Sequence, residues 1–446
     1  MNRPKQHMRL QEAQNILQNN WRDGFTIPCD RLYPFQWNWD SGFVCLGLRH
    51  FQMERAMREL RMLFSGQWDN GLLPHIIFHS ETETTYFPNH PFWQTTVNSA
   101  APQRPKTSGI TQPPVHGFVL EWLYRQDRGK PAMEAFVREL FPKVLRLHQF
   151  FYQYRDPQKE GLVFIYHPWE SGRDNSPLWD DILNSIEIHP DQLPAYERKD
   201  NLISQPDDRP QQRDYDTYVY LLELGKKHAY DGPGIAAESP YLVQDSLINA
   251  LLIRSNQSLI YLGKELGFDT GQIEEWQSQS CESFQQKLWQ ESIGSYTCYD
   301  LRHQRPIYQK EIGSYCALFA GVADSRQAHL LDGQLRELVE RNFYLCPSFD
   351  VDSERFESRR YWRGPIWPQM NWLIYQGLKD NGFSDTAQLV RQHLIDLIDR
   401  QGFYEYFEAQ KGISDELEHG YGGGNFSWTA AVYIDFLQES AGRLLV

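Results

Sequence analysis

Apolar residues recur at helical spacing along almost the whole chain. Met53, Ala56, Met57, Leu60 and Leu63 form one such stripe, and Val115, Phe118, Val119, Trp122 and Leu123 form another directly after Pro113-Pro114, a dipeptide suited to a helix start. Similar stripes cover about 5–20, 131–154, 214–228, 241–266, 270–291, 310–321, 326–341, 366–379, 384–399 and 427–440, which predicts about twelve helices. Strand-like alternation is short and local, at Leu162–Tyr166 and Phe403–Phe407. There is no strand–helix–strand rhythm for a doubly wound sheet and no fixed sequence period for a solenoid. A dozen helices without a separating linker predict an all-α single domain over residues 1–446, with six hairpins closed into an α/α toroid.

Two stretches interrupt the helices. Residues 80–114 carry Pro88, Pro91, Pro102, Pro105, Pro113 and Pro114, and residues 187–213 carry Pro190, Pro194, Pro206 and Pro210. Loops this long in a compact domain are commonly functional, and their aromatic and charged residues favour lids over filler. Hydrophobic residues make up 41% of the 446, enough for a large core. A formal charge of −14 without long blocks of one sign argues against nucleic acid or an anionic membrane as partner. With no apolar run of spanning length and no signal-peptide pattern at the start, a soluble cytoplasmic protein is expected. The six cysteines lie far apart and read as reduced thiols, not as a metal site.

Gly420–Asn425 (GYGGGN) lacks the spacing of a dinucleotide loop, and neither a P-loop nor a His-Glu-x-x-His motif is present. Asp180-Asp181 resembles the acidic metal motif of all-helical terpenoid synthases but lacks the second acidic cluster those enzymes need. No metal and no cofactor is expected.

The composition is rich in aromatics, with 14 Trp, 24 Tyr and 25 Phe. They concentrate in unusual segments: YPFQWNWD at 33–40, TSGITQPP at 107–114, WESGRDNSP at 169–177, YWRGPIWP at 361–368 and FYEYF at 403–407. Four precede a predicted helix closely, and in a helical ring alternate helix starts share one rim, so the segments can converge. Trp faces stack on a sugar's C–H face while Asp, Gln, Asn and Arg bond its hydroxyls, and two opposed carboxylates would cleave a glycoside. Each residue also has a plainer reading. Asp174 caps a turn, Glu405 lies on a solvated face, the Trp residues are core, Asp40 and Gln112 are caps, and Arg363 ties its turn to a carboxylate or carbonyl.

These segments, together with SWTAA at 427–431, resemble glycoside hydrolase family sixty-three, specifically the short hydrolases of mannosylglycerate and glucosylglycerate, from Tyr33 to Trp428. The resemblance implies an (α/α)6 barrel and hydrolysis of an α-glycosidic bond with inversion, releasing mannose or glucose and glycerate. It implies Asp174 as general acid and Glu405 as general base. It implies a sugar pocket of Tyr33, Trp37, Trp39, Asp40, Tyr86, Gln112, Trp169, Glu170, Trp362 and Trp367, and a hold on the glycerate carboxylate by Arg209, Tyr215 and Tyr361. A planar guanidinium suits a carboxylate, and desolvation beside Trp169, Trp179 and Glu170 would raise the proton affinity of Asp174. One departure stands out. A glucosylglycerate-specific relative has Gln before Ser-Trp where this chain has Phe426, which leaves the aglycone open.

The partner implied is a small glycoside, with further copies of the chain left open. Alternatives are an α-glucosidase acting on an oligosaccharide or glucosylglycerol and, outside the hydrolases, a sugar epimerase or sugar-binding toroid. An epimerase would use paired histidines, and the 14 here are scattered.

Overall fold

Helices buried on every side and helices buried on one side alternate along the chain, and that alternation builds a double ring. In the computed structural model, which describes residues 3–30, 32–80, 86–199, 209–412 and 420–442, the inner ring consists of six helices. They are Asn38–Leu48, His116–Gln126, Ser246–Leu266, Cys316–Phe319 (led by the 3₁₀ turn Ile312–Tyr315), Pro368–Asp380 and Ser427–Gly442. Each packs on the next and the last returns to the first, closing the ring. Outside them lie Arg3–Asn19, Met53–Phe64, Pro131–Tyr154, Gly271–Ser283, Ser325–Glu340 and Ser384–Gln401. The architecture is an (α/α)6 barrel. Because inner and outer helices alternate, all inner helices start at the same rim.

The boundaries follow local chemistry. Asp245 caps Ser246–Leu266 by accepting from the N–H groups of Leu247 (2.7 Å) and Ile248 (3.0 Å). This cap delays the helix expected from 241, and Val243–Gln244 is a short strand instead. Pro368 and Pro131 begin their helices at positions where a missing N–H costs nothing. The stripe at 270–291 ends as helix at Ser283, then loosens into a π turn, Phe284–Leu288.

Two expectations need correction. Asn38–Leu48 bears no amphipathic stripe because all eleven of its residues are buried, so periodicity misses it. Conversely, the expected helix at 214–228 exists as Gln212–Lys227 but stands outside the double ring. Of the strand-like runs, Tyr404–Phe407 pairs with Gly420–Gly424, whereas among the described residues Leu162–Tyr166 makes only one bridge, from Ile165 to Val243.

Small antiparallel sheets decorate the rim. Gln36–Trp37 pairs with Ile76–Phe78, which pairs with Lys106–Thr107, and this sheet carries the chain into the first inner helix. The long 80–114 segment is described from Tyr86 onward and folds around His90–Trp93, where buried Trp93 donates to the Pro88 carbonyl at 3.1 Å. In the 187–213 segment, residues 200–208, with Pro206, lie outside the described residues. All six cysteines are free thiols, five of them buried. No helix among the described residues is long and apolar enough to cross a membrane.

Candidate active site

The shared rim opens into a cleft with about 880 Å³ of empty volume. Its lining brings together fourteen of the fifteen residues singled out in the sequence: Tyr33, Trp37, Trp39, Asp40, Tyr86, Gln112, Trp169, Asp174, Arg209, Tyr215, Tyr361, Trp362, Trp367 and Glu405. The fifteenth, Glu170, is a correction. Its buried carboxylate is consumed by Arg155 through two N–H groups (2.9 and 3.1 Å) and by the backbone N–H groups of Tyr166 (2.9 Å) and Thr111 (3.3 Å). It joins the wall carrying Trp169 to the wall carrying Gln112 and has no lone pair directed at the cleft.

The aromatic wall is built as a stack. Trp362 and Trp367 lie face to face with centroids 3.7 Å apart, and Tyr406 continues the stack behind Trp367 at 4.7 Å. Tyr361, at φ 38°, holds a left-handed backbone that is strained for a non-glycine residue, and its carbonyl accepts from Trp367 Nε1 at 3.1 Å. Arg363 anchors this turn from outside, bonding both oxygens of Asp180 at 3.0 and 2.8 Å and Glu357 at 2.7 Å. Asp180 is thereby spent on an ion pair. Opposite, Gly172 turns the chain at φ 68° with Trp39 so close that a Cβ would lie 2.7 Å from the indole.

The two carboxylates reach the cleft by different routes. Asp174 sits in the loop after Gly172, with its carbonyl accepting from the Tyr218 hydroxyl at 2.8 Å. Glu405 sits at an irregularity in the pairing of Tyr404–Phe407 with Gly420–Gly424, a bulge that re-aims a side chain. Its oxygens accept from the Tyr33 hydroxyl (2.9 Å) and the Gly423 N–H (3.0 Å). At Gly422, φ 71°, a Cβ would fall 2.1 Å from Glu405 Oε2. The GYGGG run is therefore the bed of a carboxylate, not a nucleotide loop.

Their environments pull the carboxylates apart. Burial pushes Asp174 up to about 7, against the opposing pull of Arg209 and with further repulsion from Glu405 and Asp214. Burial also raises Glu405, but Arg209, the Gly423 N–H and the Tyr33 hydroxyl all favour its charged form. Asp40 is raised too, by burial and then by Glu405. One carboxyl suited to hold a proton near neutrality and one suited to be ionised is the division of labour that acid–base hydrolysis needs. kcat/KM should therefore follow a bell. With Glu405 as the base and Asp174 as the acid, it should fall on the acid side as Glu405 is protonated, and on the alkaline side as Asp174 loses its proton near pH 7. A profile level through the alkaline side would show that the ionisation of Asp174 does not control the reaction.

Residues 33–429 match the family model described as the mannosylglycerate hydrolase MGH1-like glycoside hydrolase domain. The chain belongs to this family. It is a glycoside hydrolase. It is 41% identical to the mannosylglycerate hydrolase of Thermus thermophilus over 422 residues, covering 94% of this chain and 98% of the relative. It is 32% identical to the glucosylglycerate hydrolase of Mycolicibacterium hassiacum over 443 residues, covering 95% and 96%. The crystal structure of the family sixty-three mannosylglycerate hydrolase from Thermus thermophilus, in complex with Tris and D-glycerate, superposes with a TM-score of 0.89 at 40% identity, covering 96% of this chain and 99% of that one.

The cleft of this glycoside hydrolase also contains residues outside the aromatic-rich segments: His75, Phe87, Lys199, Pro28 and Leu32 line it. Gly172 and Trp428 line it from within WESGRDNSP and SWTAA, and Trp428 Nε1 donates to the Glu405 carbonyl at 3.1 Å. His75 bonds the Ser108 hydroxyl at 2.6 Å and stacks on Trp169 at 6.3 Å, and burial lowers its proton affinity, so it serves as a neutral wall. No sequence signal marked it. Among the described residues, no group of three or more His, Cys, Asp or Glu side chains is placed to hold a metal ion.

Proposed function

We propose that this chain cleaves α-glycosides of glycerate, mannosylglycerate foremost and glucosylglycerate as the second substrate, with inversion at the anomeric carbon and with residues 1–446 acting as one catalytic unit. The observation carrying this reading is Arg209. Its guanidinium is buried in the same cleft as Asp174 and Glu405, 3.1 Å from the Tyr33 hydroxyl and 4.4 Å from the Tyr361 ring centroid. A sugar alone needs no buried cation, whereas an aglycone carboxylate does.

In the reaction, Asp174 gives its proton to the glycosidic oxygen as the C1–O bond breaks. Glu405 takes a proton from a water whose oxygen bonds C1 from the opposite face. Trp362, Trp39 and Trp37 pack the sugar, and Asp40 and Gln112 take its hydroxyls. Tyr215 and Tyr361 flank the glycerate end. Gln112 Oε1 already accepts from the Trp39 N–H at 3.4 Å, which orients its amide.

A second reading, a neutral aglycone, is favoured by Phe426. Its buried ring lines the cleft, 4.5 Å from Trp428 and 5.9 Å from Tyr33, in place of a polar side chain. A panel of α-mannosides and α-glucosides of glycerate and of glycerol, assayed for free sugar, separates the two. Preference for the glycerol glycosides would overturn the glycerate reading. The first-formed sugar should be the β-anomer by early NMR spectra, and α-anomer appearing first would rule inversion out.

A further inference from the structure

The six inner-helix starts divide into two sets. Those at Asn38, His116, Pro368 and Ser427, with the segments leading into them, place Trp37, Trp39, Asp40, Gln112, Trp367 and Phe426 in the cleft. The starts at Ser246 and Ile312 place no side chain there. Their capping residues, Asp245 and Glu311, turn instead to Arg173, the residue immediately before Asp174.

Arg173 is clasped from both sides. Its Nη2 donates to the two oxygens of Asp245 at 2.7 and 2.8 Å, and its Nη1 donates to Glu311 Oε2. The guanidinium is fully buried, as are both carboxylates. The carboxylates are themselves fixed to the ring. Asp245 accepts from its helix's first N–H groups, and Glu311 accepts from the Gly313 N–H at 2.6 Å and the Ser246 hydroxyl at 2.9 Å. The three side chains are buried and none of them lines the cleft, and a buried cluster of this kind is weak as a source of stability.

Its reach into the cleft is through the backbone. The Arg173 carbonyl accepts from Trp179 Nε1 at 2.9 Å and from the Ser176 N–H at 3.0 Å, and the next carbonyl, of Asp174, accepts from Tyr218. The peptide bearing the Asp174 side chain is thus held by two helix starts on one side and by Trp179 and Tyr218 on the other. We infer that Arg173, clasped between Asp245 and Glu311, is a positioning residue that sets the reach of Asp174 toward the glycosidic oxygen. This rests on the reading of Asp174 as general acid. A displacement of about 1 Å at such a carboxyl can cost about 10²-fold in rate.

A purely structural arginine is told apart by the leaving group. A glycosyl fluoride departs as fluoride ion and needs little help from an acid, yet it uses the same sugar pocket and the same base. Arg173→Lys keeps the charge, and Glu311→Gln keeps the Asp245 arm, so the two variants test the clasp by independent routes. Each should lower kcat on the glycerate glycoside at least about tenfold with KM changed less than about twofold, while hydrolysis of α-mannosyl or α-glucosyl fluoride stays within about twofold of wild type. Equal losses on glycoside and fluoride, or no loss on either, would overturn the inference. Asp174→Asn, run alongside, should show the same split. Equal losses for that variant would overturn the assignment of the acid itself, a failure separable from that of Arg173.

Discussion

Asp174→Asn and Glu405→Gln should each lower kcat on the glycerate glycoside by about 10²–10⁴-fold, the usual worth of general acid–base assistance, with the fold unchanged by circular dichroism. The magnitude follows from the environments. Burial pushes Asp174 up to about 7, so near neutral pH a large fraction carries the proton that the proposed general acid donates. Asparagine cannot release that proton. Glu405 is kept available as a base by Tyr33, Gly423 and Arg209, and glutamine keeps its shape without its basicity. If either variant retains more than about a tenth of wild-type turnover, a loss below that which acid–base assistance predicts, the role of that residue is wrong. The two losses should also combine less than additively, since in the proposed mechanism both groups serve one transition state.

The sequence carried most of this because the cleft is made of short contiguous segments. Trp37, Trp39 and Asp40 sit together at the start of one inner helix, and Trp362 and Trp367 just before another, so their clustering in the chain mirrors their clustering in space. What escaped falls into two kinds. Asn38–Leu48 was invisible to periodicity because a helix buried on all sides has no polar face to mark its phase. His75, Lys199 and Phe87 join the cleft only through packing of the rim sheets and loops, and nothing in their own neighbourhoods distinguishes them from other loop residues. Glu170 shows the opposite failure. It lies inside a segment whose neighbours face the cleft, but Arg155, fifteen positions earlier and in no motif, claims its carboxylate. GYGGGN reads as backbone freedom without a purpose until the strand at Tyr404–Phe407 is seen beside it with Glu405 projecting into the space the glycines leave.

Arg209→Ala should lower kcat/KM for a glycerate glycoside at least about tenfold, while hydrolysis of the matching glycerol glycoside changes little. A charge-assisted hydrogen bond contributes about 1.5–3 kcal/mol, and about 1.4 kcal/mol is one decade. The plain alternative, an arginine paired with Asp207, Asp208 or Asp214 on a solvated loop, would be worth little; Asp207 and Asp208 lie outside the described residues. Arg209 is only 5% exposed, so its setting is not that of a solvated loop, and Asp214 accepts from the Gln211 N–H at 2.7 Å and from Asn175 at 3.4 Å. Lys199 also lines the cleft but is 30% exposed at its side chain and paired with Glu197, so its loss should cost the charged substrate less than the loss of Arg209. Removing Arg209 has a second consequence. Its charge lowers the proton affinity of both Asp174 and Glu405, so in the alanine variant both limbs of the pH profile should move to higher pH. Equal losses on the charged and uncharged glycosides would mean that Arg209 supports the cleft without recognising a carboxylate. An unshifted profile would place its charge too far from the acid and base to matter.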